Sequence, residues 1–246
     1  MLLLCPSVWC VQPEKDSVSA SSSVEYGFRW KRLVLPASLV AIGAYGVGNG
    51  WLQSLNRDVC RSIQEDRCPE PCRWDDYVQY VPVVSHAFLG CTGIPSKHGL
   101  TDRLMATAAS YLSMGIMVNT LKFLVDEQRP DGSAHNSFPS GHTATAFMGA
   151  ELVRLEYGGS SVWYGVGAYT MAAGVAFLRL YNNRHWCNDL LAGAGIGILS
   201  ARVGYWLLPA SRRLLGLDRK TNSSVALLPY YHPADKGWGC TLNMIL

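Results

Sequence analysis

A chain of 246 residues is long enough for one sizeable domain or one small helical bundle. Its residues are 49% hydrophobic and 16% charged, where soluble domains carry about 25% charged residues. The net charge of +3 comes with no basic cluster and no interleaved aromatic platform, which argues against nucleic acid as a partner.

The charges are also unevenly placed. Residues 33–56, 77–96, 104–121 and 158–178 contain no Asp, Glu, Lys or Arg. Runs of this length match the ~20 apolar residues that cross a bilayer core, so the chain reads as an integral membrane protein. Met1 to Val11 is apolar but short and lacks a basic start, a poor signal peptide. Residues 13–24 are Ser-rich and are expected to be disordered. Arg29, Lys31 and Arg32 then precede the first span, about 33–50, and basic residues there favour a cytoplasmic N-terminus.

Residues 51–76 form a long loop holding Cys60, Cys68 and Cys72. In an oxidising space a disulfide among the three is one reading; reduced thiols are the other. Trp51 to Gln64 fits an amphipathic surface helix with Trp51 and Leu55 towards lipid. Span two is expected over 77–95, kinked at Pro82, and span three over 103–122. The stretch 123–138 is too rich in Pro, Gly and Asn for a helix. Spans four, five and six follow over 142–156, 161–178 and 189–208, with Gly158-Gly159 breaking the first pair. Gly193 and Gly197 form a GxxxG, either a close-packing seam or a chance pairing. The fold class is therefore all-α, a six-transmembrane-helix bundle over 33–210, with a cytoplasmic segment 1–32 and a tail 211–246 of unknown role. An inside N-terminus and six spans put the loops 51–76, 123–138 and 179–188 on the outside.

Two of those outer segments carry chemistry. Lys122 closes span three; standing alone it would be an interfacial lysine. Arg129 precedes Pro130, which holds it on extended backbone, and its guanidinium fork suits phosphate oxygens. Pro139-Ser140-Gly141-His142 opens span four, where free N–H groups favour anions and Gly141 allows close approach. Ser140 is an ordinary N-cap or a donor to a phosphoryl oxygen. His142 and His185 each sit beside cations at a membrane boundary, as a general acid and a nucleophile for phosphoryl transfer would. Asp189, four residues after His185, can fix its tautomer, or simply favour a helix N-terminus. Arg179 supplies a third cation, and three cations with backbone donors can stabilise a pentavalent oxyanion without a metal.

Lys122-x6-Arg129-Pro130, Pro139-Ser140-Gly141-His142 and Arg179-x5-His185-x3-Asp189 resemble the three-part signature of the type 2 phosphatidic acid phosphatase superfamily. That group includes lipid phosphate phosphatases, bacterial acid phosphatases and vanadium haloperoxidases. The resemblance implies that His185 attacks phosphorus, Asp189 orients it, and His142 protonates the leaving oxygen. Lys122, Arg129, Ser140, Gly141 and Arg179 would hold the phosphoryl oxygens, with no metal and no cofactor. One departure is visible: Leu178 stands where the family usually has Ser. The expected function is hydrolysis of a phosphate monoester or pyrophosphate on a lipid held in the bilayer. Lipid A is the first expected substrate, with undecaprenyl pyrophosphate or phosphatidylglycerol phosphate as alternatives, and a non-catalytic transporter or scaffold as a remote one. The implied location is a bacterial inner membrane, with the site facing the periplasm.

Overall fold

The computed structural model describes residues 30–65, 72–217, 224–232 and 237–245, the last two ranges by backbone alone. The expected disorder of 13–24 and the candidate disulfide partner Cys68 lie outside these residues. Cys60 and Cys72 carry free thiols.

Eight α-helices are described: α1 Lys31–Gly48, α2 Gly50–Glu65, α3 Asp75–Val78, α4 Val81–Phe88, α5 Leu100–Leu124, α6 Gly141–Tyr157, α7 Val162–Tyr181 and α8 Cys187–Leu214. The backbone bends by 95° between α1 and α2. Asn49 makes the corner: its Oδ1 accepts from Trp51 N and Leu52 N, both at 3.1 Å, and so caps α2. Along α2, Asn56 and Cys60 are buried while Trp51 and Leu55 on the other face are exposed, the amphipathic split expected from the sequence.

α8 is the central helix. It packs against α1, α5 and α6, while α6 packs in turn on α7 and α4. The GxxxG seam is what lets α6 and α8 meet. A Cβ on Gly193 would lie 2.6 Å from the Ser140 carbonyl oxygen, and one on Gly197 would run into the Ala144 carbonyl. Val83, Ala106, Met114, Val118, Ala144, Met148, Leu152 and Ile196 fill the centre of the bundle. A second apolar layer, including Ala146, Ala150, Ala168 and Ala172, joins α6 to α7. Leu112, Ile116 and Phe123 of α5 and Val162, Trp163 and Phe177 of α7 point outward, as side chains facing lipid do.

One expectation is corrected. Span two is not one continuous helix over 77–95: α3 and α4 are separated by a turn at Gln79–Tyr80, and a 3-10 turn at Leu89–Thr92 follows. Pro82 sits in the first turn of α4 instead of kinking a longer helix, since a proline there lacks only a donor that would have no acceptor. The segment still runs alongside α6, with Asp76 meeting His142 at one end and Gly90 N donating to the Tyr157 hydroxyl at the other. Residues 30–65 and 72–217 hold helices and no strand, in keeping with the expected all-α bundle; the described strands lie in the tail. Ser224–His232 and Gly237–Ile245 form an antiparallel two-stranded hairpin in the tail.

By length and composition, α5 and α8 can cross a membrane, and so can the bent pair α1–α2 if it counts as one span. α6 buries Glu151 and Glu156 in its second half. Both are satisfied: Glu151 by Arg154, Arg202 and Tyr169, and Glu156 by His98 and Tyr205. Buried charges persist only when paired in this way.

Candidate active site

One end of the bundle holds an open cavity of about 450 Å³. Lys122 enters it from the last turn of α5, Arg129 from the α5–α6 connection, and Gly141 and His142 from the first turn of α6. Arg179 comes from the last turn of α7 and His185 from the α7–α8 connection. Six of the eight residues singled out in the sequence therefore line one cavity. The other two, Ser140 and Asp189, are fully buried behind it.

Ser140 is an N-cap: its Oγ accepts from Thr143 N at 3.4 Å and from Thr143 Oγ1 at 3.0 Å. Its backbone N–H donates to the Asp189 carbonyl at 3.1 Å, which ties the start of α6 to the start of α8. The opening N–H groups of α6 have no intrahelical acceptor and carry the positive end of the helix dipole.

Asp189 lies in the first turn of α8, whereas His185 precedes that helix. The two meet because Asp189 Oδ2 turns back to accept Trp186 N at 2.9 Å, and this brings it 3.2 Å from His185 Nδ1. Capping the helix and orienting the histidine are thus one arrangement, where the sequence had offered them as alternatives. Burial, aided by Arg179 and Lys122, drives the His185 imidazole down to about 4 against the pull of Asp189. A ring that is neutral at pH 7, with Nδ1 held by a carboxylate, keeps the Nε2 lone pair available as a nucleophile.

The cations crowd together. Burial first, and then Arg179, push the Arg129 guanidinium below its usual value. Arg129 Nε and Arg179 Nε are buried and have no hydrogen-bond partner among the described residues. Buried donors left in this state suit an incoming acceptor. Arg73 and Arg184 also line the cavity, giving five cations against the carboxylates of Asp75 and Asp76. That balance fits a multiply charged anion.

Several further groups at the site lie outside the three motifs. Ser137, in the stretch 123–138 expected to be non-helical, donates Oγ to Asp189 Oδ2 at 2.5 Å. Asp131 in the same stretch accepts from Arg184 Nη1 at 3.0 Å. Asp75 accepts from Arg179 Nη1 at 2.6 Å and from Asn182 Nδ2 at 3.3 Å, and Asp76 Oδ1 lies 2.9 Å from His142 Nε2. Two adjacent carboxylates at the end of an apolar run were the available clue. Asp75, Asp76 and His142 bring ligand-type atoms within 4.8 Å of one another. Asp75 is also paired with Arg179 and hydrogen-bonded by Asn182.

Residues 103–213 match the sequence model of the PAP2 superfamily. The lipid A 1-phosphatase of Porphyromonas gingivalis is 42% identical over 134 residues, covering 54% of this chain and 30% of that protein. The chain therefore spans about a third of the length of this curated relative. A transmembrane PAP2 type phosphatidylglycerolphosphate phosphatase from Bacillus subtilis superposes with a TM-score of 0.54 at 18% identity. The superposition covers 76% of this chain and 98% of that one, which shows a shared fold. Aquifex aeolicus LpxE gives a TM-score of 0.48 at 21% identity, over 61% of this chain and 94% of that one. The segment that matches the PAP2 superfamily model holds both histidines, Asp189 and the cations that the three motifs supply.

Proposed function

We propose that the protein is a membrane phosphatase that hydrolyses a phosphate group on a lipid, with lipid A as its first substrate. The observation that carries this reading is the pairing of a neutral, carboxylate-held His185 with His142 across a cavity lined by Lys122, Arg129 and Arg179. The activity named for the Porphyromonas gingivalis relative supports the choice of lipid A. His185 Nε2 attacks phosphorus, a P–N bond forms, and the P–O bond to the lipid breaks. The departing oxygen takes its proton from His142. Water then attacks the phosphohistidine while His142 accepts its proton; the P–N bond breaks, and inorganic phosphate leaves. Lys122, Arg129, Arg179 and the N–H groups at Gly141 spread the charge of the pentavalent state, with Ser140 setting the helix start that aims them.

The chain crosses the membrane six times over 33–210, the broken segment 77–95 counting as one crossing. The cavity opens at the outer membrane–water interface, on the periplasmic side of a bacterial inner membrane.

The deciding experiment is phosphate release by the purified protein from a panel of lipid A, undecaprenyl pyrophosphate and phosphatidylglycerol phosphate, in EDTA. Release from lipid A, inhibited by vanadate, is expected. Preference for another lipid would reassign the substrate, and activity lost with the chelator would sink the metal-free mechanism. Labelling of an Asn136→Cys variant from the outside alone is expected from the orientation.

A further inference from the structure

Each histidine of the site has a carboxylate partner, and the two partners take opposite ring nitrogens. Asp189 Oδ2 lies 3.2 Å from His185 Nδ1, whereas Asp76 Oδ1 lies 2.9 Å from His142 Nε2. Asp189 belongs to the third motif. Asp76 comes from α3, 66 positions before His142 and outside the residues 103–213 that match the family model.

α3 is held where this contact needs it. Asp75 accepts from Arg179 Nη1 at 2.6 Å. Asn182, at the end of α7, brackets Cys72: its Oδ1 accepts from Cys72 N at 3.0 Å and its Nδ2 donates to Cys72 O at 2.6 Å. Asp76 is fixed through its own backbone as well. Its N–H donates to the Arg73 carbonyl at 3.3 Å, and its carbonyl accepts from Gln79 Nε2 at 2.9 Å. Asp76 is half-exposed, so its pair with His142 adds little to stability. What the pair does is fix the ring. A carboxylate only accepts, so Nε2 carries the hydrogen in this contact. Nδ1 is then the nitrogen left to exchange a proton with a substrate, and it has no hydrogen-bond partner among the described residues. An imidazolium among the five cations of the cavity also needs an adjacent anion, and Asp76 is the one in contact with the ring.

We infer that Asp76 is a positioning residue for the general acid: by accepting from Nε2–H it presents the Nδ1–H of His142 to the leaving oxygen. The inference rests on the phosphatase reading given above. As His185 Nε2 bonds to phosphorus, the P–O bond to the lipid breaks and its electron pair takes the Nδ1 proton. An alcohol leaves, and His142 stays neutral with its Nε2–H on Asp76. Water attacking the phosphohistidine returns a proton to Nδ1.

The test measures kcat/KM of full-length wild type, Asp76→Ala and Asp76→Asn on two esters with equal tails, octyl phosphate and an octyl-substituted nitrophenyl phosphate. This parameter covers the steps up to departure of the leaving group. An alkoxide leaves only with a proton, whereas a nitrophenolate leaves as a stable anion and does not call on the acid. Asp76→Ala should lower kcat/KM for octyl phosphate about tenfold, the size of one lost hydrogen bond, and leave the nitrophenyl ester within about twofold of wild type. Asp76→Asn keeps an oxygen that accepts from Nε2–H, so it should retain more of the octyl phosphate activity than Asp76→Ala does. Equal losses on both esters would show a merely structural contact, and no loss on either would show a surface ion pair without a role. Either result overturns the inference, as does an Asp76→Asn no better than Asp76→Ala. Wild type that cleaves the nitrophenyl ester alone also overturns it, because no proton then reaches a departing alkoxide. Wild type that cleaves neither ester rejects the phosphatase reading and the inference with it.

Discussion

Arg179 Nη1 stands 2.6 Å from Asp75 Oδ2, joining the last turn of α7 to the first residue of α3 across 104 positions of chain. Both side chains are buried, at 9% and 2% exposure, so little water screens the pair. Removing one partner of such a pair leaves an uncompensated charge, at a cost of about 3–5 kcal/mol. Asp75→Ala should therefore lower the melting temperature in detergent sharply. Asp76→Ala should barely move it, because Asp76 is 53% exposed. Equal effects from the two variants would mean that the Arg179–Asp75 pair does not hold α3 to α7.

The state of His185 makes a pH prediction. Its imidazole is held near 4 by burial, below the usual 6.5. Between those values the unfolded chain binds a proton that the folded protein refuses, so stability falls as pH drops from 6.5 towards 4 and is unaffected above 6.5. The His185→Ala variant should lose less melting temperature over that window than wild type does. If His185 is the nucleophile as proposed, the same substitution should cut turnover at least ~10³-fold. A variant that still turns over at the wild-type rate would remove His185 from the mechanism.

Ser137 lies outside the three motifs, yet it donates to the carboxylate oxygen that holds His185. Ser137→Ala should reduce kcat roughly tenfold, the equivalent of one hydrogen bond of about 1 kcal/mol. KM should change little, because Ser137 does not line the cavity. Steady-state kinetics on the preferred lipid will separate the two parameters.

Two glycines should respond in opposite ways. At Gly197 an added Cβ would meet the Ala144 carbonyl and lie 2.8 Å from Met148 N, so Gly197→Ala must push α6 and α8 apart. Overpacking of this kind costs about 1–3 kcal/mol. At Gly141 nothing lies within 4 Å of the added atom, which would stand in the cavity. Gly141→Ala should leave the melting temperature unchanged and raise KM for the lipid phosphate. Thermal melts and KM values on the two proteins check both halves.

Much of the candidate site was legible because its parts lie in short stretches. The Arg129-Pro130 pair, the Pro139–His142 helix start and the His185-x3-Asp189 spacing each fix local geometry through backbone restriction or capping. The apolar runs likewise marked where helices would form, and Gly193 and Gly197 marked the seam between two of them. The break between α3 and α4 was less legible, because hydropathy counts apolar residues and does not register a turn at Gln79–Tyr80. The tail hairpin was missed for a similar reason: the absence of a helical pattern over 221–246 does not by itself specify strand pairing.

The sequence alone carried the proposed class of chemistry, since the cations, the two histidines and Asp189 come at spacings that their own segments make usable. The tertiary structure decided what surrounds them. Asp75, Asp76 and Ser137 are single polar residues in loops and helix ends, and each acquires a partner 52 to 104 positions away in sequence. Such pairings arise from burial and long-range contact, which only the packing of α6, α7 and α8 around one cavity brings about.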